Sequence, residues 1–160
     1  MKKNYIKLSF YNEKDLHFKR TKNEDGKDVT RVGLGSYISL SKLEQAAKEA
    51  GFDFLPSFIV DILYKHGYSY NPHINAWFII TKGVAIRDER DADDPIKAEK
   101  IALSKAKLNA YAKAKKVFNE NSMSMNNLAE LFGASYQNIW QFEVEESKAF
   151  EKMIETGMRE

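Results

Sequence analysis

Alanine recurs at every fourth position from 102 to 114 (Ala102, Ala106, Ala110, Ala114), and this spacing constrains the fold more than any other feature. Side chains four residues apart line up along one face of an α-helix, so a strand would scatter this repeat among larger neighbours. Leu103 and Val117 lie near the same ridge. A ridge of methyl groups lets another element approach closely, so the helix is expected to pack against a neighbour. Its start is written in DERDADDP (88–95). Asp94 is placed to cap, Pro95 suits the first helical position, and the other acids favour a helix N-terminus. The long helix is predicted over 95–119. The asparagines and serines of NENSMSMNN (119–127) then mark a break, with two or three shorter helices after it.

The residues before the ridge follow a different period. Ile6, Leu8 and Phe10 alternate, as in a strand, and Leu16 and Phe18 suggest a second. Asp25-Gly26 suits a hairpin turn with positive φ. Val29 to Leu40 reads as extended, with Gly33 and Gly35 marking a bulge or a close backbone approach. Ser41 and Glu44 form a capping box for a helix that Gly51 can end; Pro56 opens a second helix, through Lys65, that Gly67 stops. AWFIITKGVAI (76–86) reads as one buried strand, or as two strands around Lys82-Gly83.

Of the 160 residues, 43% are hydrophobic and 30% charged, the balance of a globular protein. The absence of cysteine excludes disulfides, thiolate metal sites and cysteine nucleophiles, and fits a reducing compartment. MKKNYIKLSF lacks the apolar run of a signal peptide, and stretches such as AWFII are too short to cross a bilayer. A cytoplasmic protein without a membrane partner is expected. Charge is unevenly spread. Residues 1–94 carry 15 Lys/Arg against 14 Asp/Glu, residues 95–121 carry 7 against 2, and residues 122–160 carry 3 against 7. A basic segment thus runs directly into an acidic one.

The acidic segment holds the most informative motif, MNNLAELFGASYQNIWQFEV (125–144). Ala129 supplies a small residue where two helices could cross, Gly133 a turn of positive φ four residues later, and Ser135 a cap for a second helix. Leu128, Phe132, Ala134, Ile139 and Phe142 fill the apolar positions that would fix the angle. This stretch resembles the helix-turn-helix of phage-repressor-type regulators and the promoter-reading helix-turn-helix of bacterial sigma factors, over about 20 residues. The fold expected is therefore α+β: an N-terminal mixed sheet with two helices over 1–90, then a helical domain over 95–160 comprising the long helix and a helix-turn-helix at 125–144.

The resemblance implies that the second helix enters the major groove of double-stranded DNA, presenting Tyr136, Gln137, Asn138, Trp140 and Gln141. Gln and Asn can each donate to and accept from adenine. That helix carries no Arg or Lys at these positions, and Glu143, Glu145 and Glu146 follow at once. Phosphate contacts would fall to Lys105, Lys107, Lys113, Lys115 and Lys116 of the preceding helix, whose alternative role is a solvated face. The implied function is a DNA-binding transcriptional regulator of bacterial, phage or mobile-element origin, not an enzyme, without a cofactor, and able to form a homodimer. The alternative is a phage or mobile-element protein that binds and inhibits a host protein machine, as inhibitors of CRISPR nucleases do, with the helix-turn-helix as scaffold.

Other chemistry is weaker. Asp88, Asp91, Asp93 and Asp94 could surround a hard cation, or simply open a helix. His17, His66 and His73 are scattered without ligand spacing, and Gly33-Leu34-Gly35 is no phosphate loop. Tyr68, Tyr70, Trp77 and Phe78 could form a stacking surface for single strands or pack in a core.

Overall fold

The alanine ridge is buried over its whole length: Ala102, Ala106, Ala110 and Ala114 have no solvent-accessible surface. What buries it is an antiparallel sheet. The computed structural model describes residues 5–11, 13–88, 90–124 and 129–157. They form, in order, β1 (Ser9–Tyr11), β2 (Phe18–Lys22), β3 (Asp28–Ser39), α1 (Leu40–Glu49), α2 (Ser57–Lys65), β4 (Ser69–Asn71), β5 (Ala76–Ile86), α3 (Pro95–Ser124) and α4 (Ala129–Gly157).

The sheet is antiparallel throughout, not mixed. β3 is its spine: β2 and β1 pair in succession along one edge, β5 lies along the other, and β4 sits outside β5. The β3–β5 ladder keeps one register over eleven pairs, from Val29↔Ile86 to Ser39↔Ala76. The segment 76–86 is therefore one strand, and Gly33 and Gly35 form no bulge. The chain leaves β3 through α1 and α2 and re-enters through the short β4, which sends β5 back antiparallel.

Local signals placed most boundaries. The β2–β3 hairpin turns at Gly26 with φ +76°, and Gly51 and Gly67 end α1 and α2 at φ +92° and +88°. Ser41 is not the cap of α1; the helix starts at Leu40, with extended Ser39 as its N-cap two residues earlier than expected. Asp94 does cap α3, accepting the Lys97 N–H at 3.0 Å, with Pro95 in the first turn. The helix predicted to end at 119 runs on, so of the break expected over 119–127 only 125–127 lie beyond it, outside the described residues. Helix α3 continues to Ser124, and buried Asn121 turns inward to donate to the Val117 carbonyl at 2.9 Å.

All the helices lie on one side of the sheet. The odd residues of β5 and the even residues of β3 face α3, whose Ala106 carbonyl accepts a hydrogen bond from Thr81 Oγ1 at 2.8 Å. Helix α4 runs antiparallel along α3: Phe118 meets Phe132, Tyr111 stacks on Phe142, and Lys105 lies over Phe150. One core joins Ile38, Leu43, Leu63 and Trp77 to Val117, Phe118, Phe132 and Ile139, so apolar packing continues across the change of character near residues 90–95.

The expected helix-turn-helix does not form in the described residues. Residues 129–157 are one continuous helix, and Gly133, which was to supply the turn, lies inside it and is not among the glycines of positive φ. Ser135 caps nothing: its hydroxyl donates to the Leu131 carbonyl at 2.9 Å and accepts the Ile6 N–H at 2.8 Å. Met125 to Leu128 lie outside the described residues. The physical reason is that Phe132, Ser135 and Ile139 form an unbroken i, i+3, i+7 stripe that packs inward. That stripe outweighs the cost of about 1 kcal/mol for one helical glycine.

Candidate nucleic-acid interface

The residues expected to read DNA are spread around α4. Tyr136 is half-buried against the core and Asn138 is half-buried, whereas Gln137, Gln141 and Trp140 (47% exposed) face solvent. The lysines do not form one surface either. Lys107 is paired with Glu13 and lies over Phe10; Lys115 is paired with Glu143; Lys105 is drawn under the far end of α4 by Phe150. Lys113 and Lys116 are exposed. Near them Tyr111 sits between Phe10 and Phe142, and desolvation, then the charges of Glu146, Glu13 and Glu145, pushes its hydroxyl up to about 12.

The aspartates of 88–94 organise a turn. Asp88 accepts the Arg90 N–H, Asp91 accepts the Asp88 N–H, and Asp93 pairs with Arg87. Among the described residues no group of three His, Asp or Glu is placed to hold a metal ion. Beside the turn, a cleft of about 700 Å³ opens towards the end of α4, lined by Arg87, Arg90, Lys97, Lys105 and Phe150. Its charges are mixed, and Arg20 and Arg87 are held by Glu99 and Asp28.

The second face of the sheet has a clearer character. Its outward side chains can be read row by row from the pairing. Ser9, Tyr37, Phe78 and Ser69 form one row; Tyr11, Gly35 and Ile80 the next; then Gly33 and Lys82; then Lys19, Arg31 and Val84; finally Thr21, Val29 and Ile86. Neither core cluster contains a residue from these rows. Ile80 is 61% exposed, Ile86 57% and Tyr11 45%, so much of this face is open, although Val29 in its last row is buried (1%).

Two glycines shape it. The Phe78 ring lies over Gly35, where a Cβ would come within 2.7 Å of Cε2, and Tyr11 meets Phe78 edge-on at a centroid distance of 6.1 Å. Gly33 leaves exposed backbone beside Lys82, with the Ile80 Cγ2 3.4 Å from where a Cβ would stand. The charges share one sign. Lys19, Arg31 and Lys82 project outward, no outward strand position holds Asp or Glu, and no ion pair to any of the three is found among the described residues. Arg31 donates instead to Thr21 Oγ1 of the neighbouring strand at 2.5 Å.

Of the four aromatics considered from sequence for stacking, Tyr68 and Trp77 are core residues, Tyr70 faces the helical side beside Trp77, and only Phe78 lies on the open face. Tyr11, Tyr37, Ile80 and the three cations were missed. A signal was legible for Ile80 alone: β5 is apolar at both parities, so once one face is covered a second apolar face remains. Comparison of the chain with family models, with curated proteins and with solved structures found no match. No helix among the described residues is long and apolar enough to cross a membrane.

Proposed function

We propose that this protein binds nucleic acid without catalysing a reaction, and that its working surface is the open face of the sheet rather than the C-terminal helix. One observation carries this reading: aromatic and aliphatic side chains share that face with three cations and no acid. Such a surface suits a polyanion with flat apolar parts, since Lys and Arg attract phosphate while aromatic rings stack on bases. A DNA-regulating role for α4 loses its main support with the turn at Gly133. The test is fluorescence anisotropy with labelled oligonucleotides at 50 mM salt. The triple variant Lys19→Glu/Arg31→Glu/Lys82→Glu should lose binding. The control Lys113→Glu/Lys116→Glu, on α3, should keep it; the reverse pattern would return the site to the lysine helix.

A second reading, a protein that docks on a host protein machine, is favoured by one feature. Trp140 is half-exposed between Gln137 and Gln141 on the outer side of α4, and tryptophan is one of the residue types enriched at binding hot spots. Trp140→Ala should then abolish a stoichiometric complex with a purified partner and leave oligonucleotide binding unchanged.

A further inference from the structure

The geometry points to single-stranded rather than duplex nucleic acid as the ligand of the open face, with unpaired bases seated at the Tyr11–Tyr37–Phe78 end and the sugar-phosphate backbone running along β3 towards Arg31 and Lys19. This inference rests on the nucleic-acid reading above and sharpens it.

Three features of the face argue for it. The first is shape. Four strands abreast span about 14 Å at the aromatic end, three strands carry the cations, and the twelve residues of β3 span about 40 Å, so the face is a broad platform. A major groove about 12 Å wide admits a helix or a two-stranded ribbon, not a sheet of this width. The second is chemistry. A duplex would present only phosphates and sugars to a flat surface, leaving Tyr11, Tyr37, Phe78 and Ile80 against polar groups. Unpaired bases instead offer apolar faces of ring size to the same side chains. The third is the order of the rows. Aromatic residues gather at one end, and the cations follow in the next rows, Lys82 beside Gly33 and then Lys19 beside Arg31, before the apolar row of Thr21, Val29 and Ile86. Six residues of β3 separate Tyr37 from Arg31, about 20 Å, so a strand must be several nucleotides long to engage both ends. That places the footprint within the range of about 4–16 nucleotides that platforms of this kind occupy.

The charge count fixes a second quantity. Three phosphate contacts on a single strand give a slope of log K against log salt of about −2, far shallower than that of a duplex-binding protein making 6–10 contacts.

The experiment compares a labelled 12-nucleotide oligothymidylate, the corresponding oligouridylate and a 12-base-pair duplex, using the full chain and the variants Tyr11→Ala and Phe78→Leu, with circular dichroism to confirm folding. The inference expects at least tenfold preference for a single strand, a salt slope near −2, and roughly five- to hundredfold weaker binding in each aromatic variant. The two single-stranded probes distinguish DNA from RNA as the source of the bases. Equal or tighter duplex binding, unaffected by Tyr11→Ala and Phe78→Leu but abolished by the Lys19/Arg31/Lys82 charge reversal, would overturn the single-strand inference while leaving the nucleic-acid reading in place. No binding to any probe at 50 mM salt would overturn both. So would a dimer of the protein that oligothymidylate cannot dissociate and that Ile80→Glu splits into monomers.

Discussion

Gly83 of β5 is pressed against the backbone of Ala102 in α3: a Cβ built on it would lie 1.7 Å from the Ala102 carbonyl oxygen and 2.6 Å from the Ala106 nitrogen. This contact explains why the alanine repeat and the glycine occur together. The helix descends onto the strand until backbone meets backbone, and flanking hydrogen bonds fix it there, from Thr81 Oγ1 to the Ala106 carbonyl and from Asn109 Nδ2 to the Lys82 carbonyl at 2.7 Å. Gly83→Ala must lift α3 from the sheet and strain both bonds. Urea denaturation should show a loss at or beyond the upper end of the usual overpacking range of about 1–3 kcal/mol. A loss under about 0.5 kcal/mol would mean that the close approach is not real.

The same pair shows what the chain discloses before it is folded. The spacing of Ala102, Ala106, Ala110 and Ala114 announces a helix with a close neighbour, but names no partner. The Lys82-Gly83 step reads equally as a turn, since a glycine kept for contact and a glycine kept for φ look alike in sequence. Gly133 is the mirror case. It has the spacing of a turn glycine, yet the stripe of Phe132, Ser135 and Ile139 holds it in a helix. The candidate site was legible only in part. Phe78 was singled out, but Tyr11, Tyr37, Lys19, Arg31 and Lys82 come from four strands and meet only through the register. No local pattern encodes that register.

Ser135 links the first described residues to α4, because its Oγ accepts the N–H of buried Ile6. Ser135→Ala would leave that donor unpaired in an apolar setting, at a cost of about 1–3 kcal/mol. Hydrogen exchange offers a local readout. The Ile6 amide should exchange at least tenfold faster in the variant, while amides in the middle of β3 shift only with global stability. An unchanged Ile6 amide would show that the bond does not hold the segment.

Glu120 ties α3 to α2, bonding Lys65 Nζ at 3.0 Å and His66 Nε2 at 2.7 Å. These two hydrogen bonds, Lys65 first, hold its carboxyl below the ordinary range. A depressed folded-state pKa adds stability above the unfolded value, about 4.3 for Glu, and that stability is lost as pH falls through the folded value. Wild type should therefore be more stable than Glu120→Gln at pH 7, and the gap in Tm should narrow as pH falls below about 4. A gap that stays constant from pH 7 to pH 3 would show that the carboxylate charge is not what joins the helices.

Gly133→Ala separates the two accounts of the C-terminal segment. In a helix-turn-helix this glycine would sit at positive φ, where a Cβ is strained and alanine destabilises. Within α4 it is an ordinary helical position, and a Cβ there would meet nothing within 4 Å. Alanine then relieves the glycine's entropic cost without a clash. It should stabilise the protein by roughly 0.5–1 kcal/mol, which for a chain of this size raises Tm by about 1–4 °C. The sign of the change decides the matter, because the two backbones differ at this residue and nothing else is altered. A fall in Tm would restore the turn at Gly133, and with it the expectation that Gln137 and Gln141 face a DNA groove.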